Sequence, residues 1–346
     1  ANGKHVVTAN KALIAVHGNE IFKAAHEKGV IVAFEAAVAG GIPVIKSLRE
    51  GLGANRIEWV AGIINGTGNY ILTHMRDEGR AFEDVLAEAQ ALGYAESDPT
   101  FDVEGIDAAH KLTILASIAY GVPLQFEKAF TEGISRITAE DVEQADNLGY
   151  VIKHLGISKR TDQGLELRVH PTLIPKERLL ANVHGVKNAI AIMGDAVGPT
   201  LYYGAGAGAE PTASAVVADL LDVARDISTD HHYRVPYLAF SGIDEDVTQL
   251  PIMPMEDIIT AYYLRLLAVD RPGVLARVAT ILAEQGISIE ALIQKEATEG
   301  ELVPIILLTH RTKEKQMNEA IREIESMADI AGPVTRIRVE SLDEGE

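Results

Sequence analysis

The chain has 346 residues, 47% of them hydrophobic and 23% charged, which is enough apolar material for two or three globular domains. A formal net charge of -19 argues against nucleic acid or an anionic membrane as partner. There is no cysteine, which excludes disulfides, thiolate catalysis and Cys-ligated zinc; no apolar run approaches the ~20 residues of a membrane helix, and no signal peptide is visible, so the expected location is cytoplasmic.

In chain order, residues 4–9 (KHVVTA) read as a buried strand, 19–28 as a helix closed by Gly29, and 30–38 as a second buried strand. Strand, helix and strand with near-continuous apolar strands is the parallel-sheet pattern, the tail of a doubly wound domain. The sequence opens on Ala1 rather than Met and enters a strand at once, so an upstream segment is expected. Residues 39–43 form a turn, 56–64 a strand, and 65–69 (NGTGN) a second turn. Helices are expected over 83–92 and 106–120, and short strands and helices, including strands at 165–170 and 189–193, fill 121–200. A long helix covers 211–227, with Pro211 in its first turn. Residues 228–258, with His231, His232, Asp244 and Asp246, read as an irregular linker. Beyond it come a strand at 262–269, a helix at 272–285, strands at 287–296 and 302–310 around a 298–301 turn, a helix at 312–327 and a strand at 334–339. That order, βαββαβ, is ferredoxin-like.

The most informative stretch is GYAESDPTFDVEGIDAAHK (93–111), which holds five carboxylates and ends on a lysine. Asp107 and Lys111 are four apart with the acid first, so a helix places them on one face in the favourable order. An arbitrary pair of this kind is a solvated surface contact. Here the neighbours are Ile106, Ala108, Ala109, Leu112, Ile114 and Leu115, and a helix apolar nearly all round is buried. A buried lysine beside a carboxylate is a candidate proton donor or acceptor. The carboxylates of Glu96, Asp98 and Asp102 suit either a hard cation or a substrate ammonium group. His110 points away from the Lys111 face and is expected to be structural. The Gly204–Gly208 run is a weak phosphate-loop signal on its own, although the helix N-terminus after it favours an anion.

This stretch resembles the signature of homoserine dehydrogenases, as do VVTANKALIAVHG (6–18), FEAAVAGGIPVI (34–45), GIINGTGNYIL (62–72) and YGAGAGAEPTASAV (203–216). The motifs are long, specific and in the family's order over residues 1 to about 230. The resemblance implies NADP- or NAD-dependent interconversion of L-aspartate 4-semialdehyde and L-homoserine, on the route to threonine, methionine and isoleucine. It implies Lys111 as catalytic acid/base, with Asp107 orienting it or binding the substrate hydroxyl. Glu96 would take the substrate ammonium, Tyr94 and Thr67 would contact substrate, and Asp102 would stand behind them. Lys11, Gly93 and Gly208 would approach the cofactor. A monovalent cation, sodium, would sit on Glu35 and the carbonyls of Val38, Gly40 and Ile42.

VDRPGVL (269–275) likewise resembles the ACT-domain signature. ACT domains pair edge to edge and bind amino acids near this loop, which implies Asp270 and Gly273 as an effector site, threonine as effector, and a homodimer or homotetramer. The expected architecture is therefore α/β and α+β. It comprises a Rossmann-type tail (1–34, with the 209–230 helix packed back on it), a mixed-sheet catalytic and dimerisation domain (35–208), a linker (231–258) and a ferredoxin-like ACT domain (259–346). The family's opening strand, GxGxxG turn and helix are not in this sequence, so this stretch alone is expected to bind NAD(P)H poorly and to lack activity. Two other readings compete: a non-catalytic amino-acid sensor or assembly subunit, and a carboxylate-based metal hydrolase built on residues 96–107. The intact Glu96, Asp107 and Lys111 set argues against the first, and the lack of a histidine ligand pattern against the second.

Overall fold

The computed structural model describes residues 2–228, 235–238, 250–294 and 301–342. His231, His232, Asp244 and Asp246 of the expected linker, and residues 298–300 of the expected hairpin turn, lie outside the described residues.

Strands β1 (Val6–Val7) and β2 (Val32–Ala33) pair in parallel around helix α1 (Lys11–Glu27). The helix starts eight residues before the expected 19, because the Asn10 side chain accepts from the Leu13 N–H at 3.0 Å and caps it. The expected strand over 30–38 shortens to β2, since Glu35–Ala37 turns into a 3-10 helix. Helix α2 (Val44–Lys46) runs into a π turn at Ser47–Gly51, and strand β3 (Ile57–Ile63) follows. The 65–69 segment, expected as a turn, instead opens helix α3 (Gly66–Glu78), with Asn65 as its N-cap. Next come α4 (Phe82–Ala91), α5 (Thr100–Val103) and α6 (Ile106–Tyr120), the last with the expected bounds. Left-handed glycines close α6 at both ends, Gly105 and Gly121.

Strand β4 (Phe130–Thr131) and helix α7 (Ala139–Asn147) lead to a long hairpin, β5 (Tyr150–Thr161) and β6 (Gly164–Pro175). Strands β7 (Lys187–Gly194) and β8 (Gly198–Ala205) precede α8 (Ala209–Ser228), which packs on the Glu35–Ala37 turn and on β1. The C-terminal unit comprises β9 (Ile259–Val269), α9 (Val274–Glu284), β10 (Ile289–Gln294), β11 (Leu302–Thr309), β12 (Thr312–Lys313), α10 (Glu314–Glu325) and β13 (Ile330–Val339).

Among the described residues one sheet runs β10-β11-β9-β13-β6-β5-β3-β7-β8. The first four strands are the ferredoxin-like order of the C-terminal unit. Its edge strand β13 pairs in parallel with β6, Arg338 opposite Thr172 and Val339 opposite Leu173. The C-terminal unit therefore shares its sheet with the central one. Ion pairs reinforce the seam: Arg168 to Glu340 at 2.7 Å, Arg338 to Glu132 at 2.8 Å, and Arg265 to Asp141 at 2.6 Å. Helix α6 lies across β3, β5 and β6, and its Leu112, Ile114 and Leu115 are buried with Val60, Ile64, Leu165 and Leu167. That burial is what carries Asp107 and Lys111 indoors.

Candidate active site

The site is built at the first two turns of α6. The Lys111 Nζ donates to Asp107 Oδ2 at 2.7 Å and to the Ile64 carbonyl, just past the end of β3, at 2.8 Å. A lysine amine carries three donors when charged. Two are committed here, and among the described residues the third has no partner, which leaves it for a substrate oxygen. Asp107 Oδ1 meets Lys11 Nζ, at the start of α1, at 3.1 Å. The Asn65 side-chain N–H group donates to Asp107 Oδ2 at 2.9 Å and to Asp102 Oδ1 at 2.8 Å, while its Oδ1 accepts from the Gly68 N–H at 2.7 Å. One asparagine thus caps α3 and ties both carboxylates together. Sequence reading passed over Asn65; its only signal was an N-capping residue directly after a strand.

Burial pushes the Asp107 carboxyl up, but the charges of Lys111 and Lys11 and the hydrogen bonds from Lys111 and Asn65 outweigh it and hold the group below the usual range. Burial dominates at Asp102 and raises it, against the Asn65 hydrogen bond. The Lys111 and Asp107 side chains are 11% and 5% exposed, whereas Lys11 is 33% exposed and marks the solvent side.

Of the other expected substrate residues, Tyr94 and Glu96 lie on the α4–α5 connection and Thr67 in the first turn of α3. Thr67 Oγ1 donates to the Tyr94 carbonyl at 2.6 Å, and the exposed Tyr94 ring tilts on Tyr70 with centroids 5.1 Å apart. Gln90 Nε2 fixes the Glu96 carbonyl at 3.0 Å. The Glu96 side chain is exposed, and among the described residues its carboxylate has no hydrogen-bond or ion-pair partner. Gly93 opens on free space just before these groups. The remaining acids go elsewhere: Asp98 accepts from the Thr100 N–H and hydroxyl, and Glu104 from the Ser135 hydroxyl. The five carboxylates therefore do not converge, and among the described residues no group of three or more His, Cys, Asp or Glu is placed to hold a metal. This counts against a metal hydrolase. His110 is buried, as expected of a structural residue, with its ring stacked on Phe126 at 4.1 Å.

Gly105 sets the angle at which α6 enters. Its φ is +84°, and an added Cβ would lie 3.1 Å from both His154 Cε1 and Val169 Cγ1. Gly105→Ala is expected to cost about 2 kcal/mol, from left-handed strain and crowding together. A urea melt measures the loss, and kcat should fall with it because Asp107 and Lys111 follow within two turns.

The Glu35 turn is a separate cluster. Its carboxylate accepts from the Ile45 and Lys46 N–H groups at 2.9 and 3.0 Å, and its own N–H donates to Asp219 at 2.9 Å. Burial pushes the Glu35 carboxyl up to about 7, against those backbone donors. Val38, Gly40 and Ile42 share this turn, and the Ile42 carbonyl accepts from Val44 at 2.7 Å. A Cβ on Gly40 would come within 2.7 Å of the Gly206 carbonyl, so the 204–208 strip packs directly on the turn, and Gly208 leads into α8. In the C-terminal unit, Asp270 and Gly273 line a cavity of about 400 Å³ with Arg271, Pro272, Gln294 and Ile305. The α9 N-terminus opens beside it with no side-chain cap.

A homoserine dehydrogenase family model matches residues 43–221, and an ACT domain model matches residues 262–329. The homoserine dehydrogenase of Pseudomonas aeruginosa is 69% identical over 342 residues, which are 99% of this chain and 78% of that protein. A solved homoserine dehydrogenase from Thiobacillus denitrificans aligns at 66% identity and TM-score 0.93, over 99% of this chain and 78% of that one. A hyperthermophilic archaeal homoserine dehydrogenase in complex with NADPH aligns at 31% identity and TM-score 0.56, over 64% of each chain.

Proposed function

Because the chain belongs to the homoserine dehydrogenase family and carries an ACT domain, we propose that its Asp107–Lys111 pair performs the acid/base half of the NAD(P)-dependent interconversion of L-aspartate 4-semialdehyde and L-homoserine. The observation that carries this is the buried Lys111 Nζ, fixed by Asp107 and the Ile64 carbonyl with one donor to spare. When bound, the nicotinamide supplies or accepts the hydride at the carbonyl carbon. In reduction, Lys111 donates a proton to the aldehyde oxygen as it gains charge, leaving the alcohol; in oxidation, the neutral amine takes the hydroxyl proton. Asp107 keeps Lys111 aimed and stabilises its charged form. Asn65 and Asp102 hold Asp107 in turn.

Glu96 binds the substrate ammonium, for which an exposed carboxylate without a protein partner is suited. Tyr94 and Thr67 shape the same wall. Lys11, Gly93 and Gly208 take the cofactor side: Lys11 stands on the solvent side of Asp107, and Gly93 leaves open space for close approach. The direct test is homoserine-dependent reduction of NADP or NAD by the full gene product. No turnover with either cofactor would refute the assignment.

The cavity at Asp270 and Gly273 is the place for an amino-acid effector, with threonine the first to try. A helix N-terminus and a carboxylate suit the two charged ends of an amino acid. A homodimer or homotetramer has β8 and β10 available, the strands that end the sheet among the described residues. Residues 1–34 with α8, 35–208 and 259–346 act as nucleotide, catalytic and regulatory parts, in the cytoplasm.

Sodium at Glu35 fits a buried carboxylate with carbonyl oxygens on the same turn. Without a cation, the native state holds a proton on Glu35 that the unfolded chain releases. Stability is then full below pH 4.5 and falls by about 3 kcal/mol as pH rises through 7. A bound cation keeps the carboxylate ionised and flattens that fall. Melting temperatures are therefore expected to be higher in NaCl than in choline chloride at pH 8, and equal in Glu35→Gln. Identical wild-type pH profiles in the two salts would exclude the cation.

A further inference from the structure

Glu132 joins the C-terminal unit to the helices that carry the site. Its Oε2 accepts from Arg338 Nη1 of β13 at 2.8 Å. Its backbone carbonyl accepts from His154 Nε2 of β5 at 2.9 Å. Arg338 is fully buried and is itself held by Glu314 of α10, Nε to Oε2 at 3.0 Å and Nη2 to Oε1 at 2.5 Å.

The His154 ring is buried where two helices begin. Measured from where a Cβ would sit on Gly105, the residue that opens α6, His154 Cε1 is 3.1 Å and Nε2 3.2 Å away. Measured from the same point on Gly68, in the first turn of α3, His154 Nδ1 is 3.6 Å away. The ring is thus a wedge between the N-termini that supply Lys111 and Asp107 on one side and Asn65 and Thr67 on the other. Its Nε2–H is committed to a carbonyl, and among the described residues Nδ1 has no hydrogen-bond partner. A buried ring with a bare nitrogen gives up a hydrogen bond to stay where it is. Burial also lowers its pKa, which keeps it neutral.

We infer that His154 is a positioning residue for the proton-transfer step, and that Glu132 places it under the influence of Arg338, so that a displacement of β13 reaches the beginnings of α3 and α6. The inference rests on the acid/base role assigned to Lys111. It needs only small movements, since a misplacement of about 1 Å at a reacting group costs on the order of 10²-fold in rate. A ligand in the C-terminal unit that shifts β13 would therefore change kcat through this joint.

The test uses the full gene product, with wild-type turnover measured first; no wild-type turnover would count against the active-site assignment itself. His154→Leu keeps bulk and loses the donor. It is expected to lower kcat about tenfold, with both KM values within about twofold. His154→Gln restores a donor of similar reach and should recover to within about threefold of wild type. Glu132→Gln, at a half-buried position, should lower kcat about threefold, and adding it to His154→Leu should leave about a tenfold loss rather than about thirtyfold. A structural role alone would lower the melting temperature without this split between kcat and KM. Wild-type kcat in His154→Leu, no rescue by glutamine, or a multiplicative double variant would overturn the inference. If His154→Leu does not fold, wild-type kcat in Glu132→Gln overturns the coupling by itself.

Discussion

Lys111→Ala is expected to lower kcat for homoserine oxidation by about 10³-fold, the middle of the range for losing a positioned acid/base group. Three consequences combine. The proton carrier is gone. The Ile64 carbonyl loses the donor that fixes it at 2.8 Å. Asp107 keeps Lys11 and Asn65 but loses its closest cation, and so returns toward the raised values that burial favours. The unsatisfied carbonyl costs about 1–3 kcal/mol of stability, which urea unfolding would register separately from rate. Steady-state kinetics decides the assignment: a variant within tenfold of wild type in kcat would remove Lys111 from the chemistry. Lys111→Arg should not rescue, because a planar, permanently charged fork neither fits one carboxylate and one carbonyl at these distances nor gives up its proton.

Arg338→Met is expected to cost about 3–5 kcal/mol, the largest stability effect of a single substitution at the seam. The guanidinium is fully buried, carries two hydrogen bonds to Glu314 and one to Glu132, and lies over the Phe130 ring at 5.0 Å. Its removal leaves Glu314, whose side chain is 3% exposed, with Arg336 and the Tyr262 hydroxyl as its remaining side-chain partners among the described residues. Burial raises the Glu314 carboxyl, and the hydrogen bond and charge of Arg338 turn that into a net lowering. A lowered carboxylate contributes stability above its unfolded pKa and loses it as pH falls through the folded value. The deficit of Arg338→Met should therefore shrink toward pH 4, where protonation relieves the stranded acid. Pairing the substitution with Glu314→Gln should recover at least half of the loss at pH 7. A single-variant cost under about 1 kcal/mol would show that the seam does not depend on this arginine.

Much of this was legible in the sequence where local chemistry decides structure. Helix α6 is bounded by glycines and is apolar throughout, so its limits and the shared face of Asp107 and Lys111 follow from spacing. The βαββαβ order of the C-terminal unit was likewise visible. The misses have a common cause in long-range contacts. Strand β5 escaped notice because Lys153, His154 and Ser158 interrupt its apolar pattern, yet all three are buried and bonded across the fold. Burial, with the nearby Arg76 charge, even lowers Lys153 to about 7. Helix α3 was hidden behind glycines at 66 and 68 that read as a turn. Within the site, Asp107 and Lys111 were local, whereas Lys11 arrives from α1 and the Ile64 carbonyl and Asn65 from the β3–α3 connection. The role of Lys11 came from family resemblance; Asn65 and the Ile64 carbonyl came only from the fold.

The parallel seam between β13 and β6 also limits how the chain can be divided. By sequence, the C-terminal unit looks like an attachment that could be cut away. In the folded chain its removal would bare β6 at Thr172 and Leu173, beyond the stretch that β4 covers, and take Glu340 from Arg168, whose side chain is 3% exposed and keeps Glu166 at 2.8 Å. An uncovered strand edge is a template for aggregation, and a buried guanidinium that loses one of its two carboxylates is less well compensated. The boundary of the recognisable module is therefore not a boundary of stability. Deleting the C-terminal unit in search of an unregulated enzyme is expected to give insoluble protein rather than a constitutively active one.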